Sequence, residues 1–142
     1  MATEALLARV ERALLPLSGV RAALLYGSQA SEQTRDGSDI DIAVLWESLP
    51  QPSDRKQLLW TLLGALGKEL RSDRIDLVLL NDAPPKLAFH VLKYGRIAFV
   101  RDPVEFHRFQ VRTYSRHADY QPIERWFRLA TKRRAEAAGR LG

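Results

Sequence analysis

Leu6, Leu7, Val10, Ala13, Leu14 and Leu17 recur at three- and four-residue steps from the N-terminus, the period of an amphipathic helix. Thr3 is placed to cap that helix, and Pro16 stops it or kinks its last turn. The period then changes. Val20 to Tyr26 is a short, mostly apolar run ending at Gly27-Ser28, which reads as a buried strand entering a tight turn. Polar residues from Gln29 to Ser38, with Asp36-Gly37 as turn chemistry, separate it from a second strand over Asp39 to Trp46. Pro50, Pro52 and Ser53 announce a helix in which Leu58, Leu59, Leu62, Leu63, Leu66 and Leu70 make one broad apolar face. Arg74 to Leu80 is a third strand, closed by Asn81-Asp82. A short helix follows from Asp82-Ala83-Pro84-Pro85 to about Tyr94, with Gly95 as its stop, and Arg96 to Val100 is a fourth strand at an edge. From Pro103 onward the pattern is helical, with a break near Tyr120-Gln121-Pro122.

Helices that alternate with strands give an α/β (α+β) class, with a small mixed sheet of about four strands flanked by helices and followed by two C-terminal helices. Four strands are too few for a barrel, and the turn after the first strand lacks the three spaced glycines of a dinucleotide fold. The 142 residues fit one domain over 1–142, and 46% hydrophobic with 27% charged residues is the balance of an ordinary globular chain. There is no cysteine, which excludes thiolate metal sites, cysteine nucleophiles and disulfides together. No apolar run reaches the eighteen or so residues of a membrane span, and Glu4 stands where a secretory signal wants positive charge, so a cytoplasmic protein is expected.

The net charge of +5 divides the chain in two. Residues 1–100 carry 12 basic and 12 acidic side chains, whereas residues 101–142 carry 10 basic and 5 acidic, so the whole excess belongs to the tail. A neutral core at 1–100 with a basic helical extension at 101–142 is not uniformly steered toward phosphate, and direct nucleic-acid binding is not favoured.

The chemistry concentrates at Tyr26-Gly27-Ser28 and, ten residues beyond, Ser38-Asp39-Ile40-Asp41. Alternation along a strand sends Asp39 and Asp41 to one side and Ile40, Ile42 and Val44 to the other. Two like charges roughly 7 Å apart at the start of a strand made to be buried repel, and a divalent cation is the economical compensation. Carboxylate oxygens suit a hard ion such as Mg²⁺, which shares its shell with water and substrate phosphates. Asp76, between Ile75 and Leu77, is another acid set in an apolar run, and it completes a triad if strands two and three are neighbours. Gly27 admits a phosphate close to the backbone, and Ser28 offers it a hydroxyl and free amides. Other strand-end acids, Asp36 and Asp82, read as turn formers.

Gly27-Ser28, the ten-residue gap, Asp39-x-Asp41 and the later strand acid Asp76 resemble the nucleotidyltransferase superfamily typified by DNA polymerase beta. More closely, the chain resembles the minimal nucleotidyltransferases, antitoxin partners of HEPN ribonuclease toxins. Ala83-Pro84-Pro85, Val91 to Arg96, Arg101-Asp102-Pro103 and Asp119 to Ile123 extend the likeness over nearly the whole length. The resemblance implies a palm-like fold and transfer of a nucleoside monophosphate, AMP from ATP, to an acceptor hydroxyl, with two Mg²⁺ ions. It implies that Asp39, Asp41 and Asp76 are the catalytic metal ligands and that Gly27, Ser28 and Ser38 serve the nucleotide, Ser38 by orienting Asp39. Family members commonly have Arg-Gly soon after Gly-Ser. This chain has Ser31-Glu32, so the triphosphate charge passes to Arg35 or to a basic residue of the tail. The implied acceptor is a tyrosine on a HEPN toxin. The rival readings are a stoichiometric toxin binder without chemistry, and nucleotide addition to RNA or a small molecule.

In the tail, Arg108, Arg112 and Arg116 fall four apart and form one helical stripe, and after Pro122 the residues Ile123, Trp126 and Phe127 form an apolar face. The stripe is either a solvated face or a docking surface for an acidic partner, for a nucleotide's phosphates or for RNA. His90, His107 and His117 are too scattered to suggest a metal pair.

Overall fold

A computed structural model of the chain describes residues 2–27, 30, 39–117, 129 and 132. Helix α1 (Thr3–Leu14) buries Leu6, Leu7, Val10, Ala13 and Leu14, the residues its periodicity singles out. The expected cap is corrected: Thr3 is the first residue inside the helix and is itself buried, while Ala2 holds the capping position and makes no side-chain bond. Strand β1 (Val20–Tyr26) is buried except at Arg21, as a central strand must be. Strand β2 (Ile40–Trp46) begins one residue after Asp39. Helix α2 (Pro52–Leu70) opens on a proline whose missing N–H costs nothing in the first turn, and it ends at Arg71 in the left-handed conformation. Strand β3 (Ile75–Leu79) is a residue shorter at each end than its apolar run, because Leu80–Asp82 tightens into one turn of 3₁₀ helix. Helix α3 (Pro85–Tyr94), strand β4 (Arg96–Val100) and helix α4 (residues 103–117) complete the described chain. The second tail helix, with Ile123, Trp126 and Phe127, lies outside the described residues.

The sheet has the order β3-β2-β1-β4, with β4 at an edge as expected. β1 pairs antiparallel with both β2 and β4, whereas β2 and β3 run parallel, so α2 supplies the crossover that a parallel pair requires. Pleating then sorts the side chains. Ala23, Leu25, Ile42, Val44 and Leu79 face α1 and α2. Ala22, Leu24, Tyr26, Ala43 and Leu45 face α3 and α4, where Ala88, Val91, Phe106 and Phe109 cover them. Each fully buried leucine of these layers, Leu14, Leu24, Leu62 and Leu66 among them, stabilises the fold by about 1.5–3 kcal/mol.

Polar side chains finish the strand ends. The Asn81 side chain accepts from the Trp46 amide and donates to the Trp46 carbonyl, both at 2.9 Å, so it continues the β2–β3 ladder after β3 has stopped. Arg101 Nε donates to the Val20 carbonyl at 2.9 Å, and its Nη2 donates to the Leu15 carbonyl. Asp102 Oδ1 accepts from the Glu105 amide at 3.0 Å and caps α4. Asp82 sits in the expected turn, where its carboxylate pairs with Arg55 at 2.6 Å and ties the start of α2 to the end of β3. No helix among the described residues is long and apolar enough to cross a membrane.

Candidate active site

Three residues meet in one lateral row at the end of the sheet where β1 finishes and β2 and β3 begin. Tyr26 is the register partner of Asp41, and Asp41 is the register partner of Asp76. Partners on neighbouring strands stand about 4.8 Å apart, and their side chains leave the same face. Strands two and three are therefore neighbours, which brings Asp76 beside Asp41. Asp39, two residues before Asp41, lies on that side of the chain just outside β2 and is exposed. The face is the one that α3 and α4 cover. Their apolar contacts reach Tyr26, so the row has a dry floor and an open mouth at Asp39 and Asp76.

Electrostatics follow from this placement. Asp41 is held above the ordinary carboxylate range, first by its partial burial and then by the negative charges of Asp76 and Asp39. The Tyr26 phenol is pushed up to about 12 by burial and by the charges of Asp41 and Asp76, so it remains neutral at physiological pH. A carboxylate disfavoured in its charged form by neighbouring negative charge is stabilised by a cation. Asp41 and Asp76 offer the pair of hard oxygen donors that Mg²⁺ typically takes from a protein, leaving the rest of its shell to water and substrate phosphate. As the side chains stand, no three acidic or histidine groups among the described residues are gathered closely enough to hold an ion together.

Gly27 explains why the row can be so tight. It takes a φ of +69°, and a Cβ there would lie 2.1 Å from Asp41 Oδ2. The group that comes close to Gly27 in this structure is the Asp41 carboxylate. The Gly27 carbonyl then accepts from the Ala30 amide at 3.2 Å, which starts the turn. Ser28, Arg35 and Ser38, expected to serve the nucleotide, lie outside the described residues. The tail stripe is placed and it divides: Arg108 pairs with Glu105, while Arg112 and Arg116 lie by the opposite end of β2. His117 stacks on Phe89 with ring centroids 3.6 Å apart, and His90 and His107 are exposed.

A model of the polymerase beta nucleotidyltransferase family matches residues 11–104, a span that contains Tyr26, Gly27, Asp39, Asp41 and Asp76. The chain belongs to this family. Among curated relatives, the protein adenylyltransferase MntA of Aphanizomenon flos-aquae (strain 2012/KM1/D3) is 27% identical over 119 residues, covering 80% of this chain and 79% of that one. Solved structures share the nucleotidyltransferase fold. A chain of a toxin-antitoxin crystal structure with AMP-PNP superposes with a TM-score of 0.67 at 24% identity, over 89% of this chain and 98% of that one. A chain from the complex of tri-AMPylated Shewanella oneidensis HEPN toxin with MNT antitoxin gives 0.61 at 23% identity, over 92% and 98%.

Within this nucleotidyltransferase fold, nothing in the sequence alone marks a role for Tyr26. In sequence it is one more large residue closing an apolar strand. Its proximity to two carboxylates comes from the antiparallel register of β1 on β2 and the parallel register of β3, neither of which leaves a local signal.

Proposed function

We propose that the chain is an Mg²⁺-dependent adenylyltransferase that moves AMP from ATP to a hydroxyl of a HEPN-family toxin, an acceptor tyrosine above all, and so acts as its antitoxin. The observation that carries this reading is the in-register Asp41–Asp76 pair with Gly27 folded against Asp41. The similarity to MntA, named a protein adenylyltransferase, supports the reaction class and the kind of acceptor. Asp39, Asp41 and Asp76 would hold two Mg²⁺ ions, which when bound supply charge neutralisation at the phosphates and a lowered pKa at the acceptor hydroxyl. The acceptor oxygen forms a bond to the α-phosphorus, the bond to the β-phosphate oxygen breaks, and pyrophosphate leaves with the electron pair. Asp76, at the exposed end of the row, takes the hydroxyl proton. Tyr26 stays protonated and adds no further negative charge beside the incoming triphosphate. Gly27 and Ser28 would receive the distal phosphates, with Ser38 orienting Asp39 and Arg35 assisting.

A second reading, a stoichiometric toxin binder, is favoured by the apolar side chains that α3 and α4 leave exposed, Tyr94, Val104, Val111 and Tyr114. One experiment separates the two. The chain is incubated with a purified HEPN toxin, Mg²⁺ and ATP, and the toxin's intact mass and ribonuclease activity are followed. Adenylyl addition in step with loss of ribonuclease activity is expected. Full inhibition with no mass change would leave only the binder.

A further inference from the structure

At the other end of the sheet, between the end of β2 and α4, lies a cavity of about 320 Å³. Leu45 lines it, and Leu45 is four residues along β2 from Asp41, roughly 13 Å at the rise of a strand. The cavity is thus separate from the carboxylate row. Its size is at the lower end of that usual for small-molecule sites, about 300–1,000 Å³.

The charges of its wall do not cancel. Arg21 pairs with Glu47 at 3.5 Å and also donates to the Ser18 carbonyl at 2.8 Å. Glu105, the other acid of the wall, is engaged by Arg108 at 3.2 Å. Arg112 and Arg116 remain, one turn apart on the same face of α4, and neither makes an ion pair among the described residues. Between them Thr113 is 6% exposed and lines the same cavity. The opposite wall is fixed: the Trp46 backbone is locked by the two Asn81 bonds, and Ser48 follows on the rim. Two guanidinium forks that make no ion pair among the described residues, with a threonine hydroxyl between them, match the oxygens of a phosphate group, which accepts paired N–H donors from arginine.

We propose that this cavity is an anion site for a diphosphate group, held by Arg112 and Arg116 with Thr113 at its floor and Arg21 at its edge. The inference is independent of the proposed reaction, so failure of adenylyl transfer would leave it standing. Its ligand is either free pyrophosphate or the diphosphate of a nucleotide. The full chain is titrated calorimetrically with pyrophosphate, and separately with ADP, in EDTA so that no divalent ion can recruit phosphate to the carboxylate row. One binding event is expected for at least one of the two probes, and which probe binds identifies the source. Arg112→Ala/Arg116→Ala should weaken it at least about tenfold with an unchanged melting curve, as the loss of charged hydrogen bonds predicts. Thr113→Val, nearly isosteric, should weaken it severalfold, and Asp39→Asn/Asp41→Asn should leave it unchanged. Absence of binding by the wild type for both probes overturns the proposal. So does loss of binding in the aspartate variant with retention in the arginine variant.

Discussion

Gly27→Ala tests the geometry of the row at one atom. The added Cβ would sit 2.1 Å from Asp41 Oδ2 and 3.1 Å from its carboxyl carbon, on a backbone with a φ of +69°. The left-handed conformation costs a non-glycine residue about 1–2 kcal/mol. In a chain of this size that lowers the melting midpoint by about 3–8 °C. The clash adds little to that cost, because the obstructing atom ends a side chain that can rotate away. Rotation is the damaging outcome, since it takes Asp41 out of line with Asp76, and displacements of about 1 Å in a reacting group cost on the order of a hundredfold in rate. Gly64→Ala is the control: nothing lies within 4 Å of its Cβ, it sits inside α2, and the change should stabilise by about 0.5–1 kcal/mol with transfer unaffected. Both variants are assayed for AMP transfer to the toxin below their melting temperatures. A Gly27→Ala protein that is folded and transfers AMP at the wild-type rate would refute the claim that Gly27 exists to seat Asp41.

Other consequences concern charge and the ladder. Asp41→Asn removes a partly buried acid that repels Asp76, so in EDTA it should raise the melting midpoint while abolishing transfer; a lower midpoint would mean that Asp41 is held by favourable partners instead. Because the folded protein raises the Asp41 pKa, this group's contribution favours folding at low pH and is lost as pH rises through its folded value. Mg²⁺ should suppress that slope in the wild type, as denaturant titrations across the acidic range will show. Burial and the charges of Asp41 and Asp76 push the Tyr26 phenol up to about 12 from an ordinary value of 10, so the stability it confers should be full below 10 and disappear between 10 and 12. Alkaline difference spectra of wild type and Tyr26→Phe should differ by one late-ionising phenol, and a difference centred at 10 would contradict the row. Asn81→Ala leaves both polar groups of the Trp46 backbone without their partner, and chemical unfolding should register a loss of about 1–3 kcal/mol.

The strands and helices were legible because their periods differ: β1 and β4 run over the residues their apolar runs mark, and α3 starts after Pro84 and ends at Gly95. Asp39, Asp41 and Asp76 stood out as acids in segments otherwise made for burial. The missing information was lateral. Thr3 has the chemistry of a cap, yet the helix starts a residue earlier and buries it, a competition that composition does not decide. The likeness of Arg108, Arg112 and Arg116 is equally deceptive, since Glu105 neutralises the first while the other two reach a cavity formed by the far end of β2. That cavity could not be read from a stripe of arginines, because it exists only where α4 crosses the sheet.

Adenylyl transfer through the carboxylate row is tested most directly by ATP labelled at the α- or the γ-phosphate. The labelled nucleotide is incubated with the HEPN toxin and either the wild type or Asp39→Asn/Asp41→Asn. Label from the α-phosphate alone, on the toxin and absent with the variant, is the predicted result. Equal α-label with the variant, or transfer from the γ-phosphate, would contradict it.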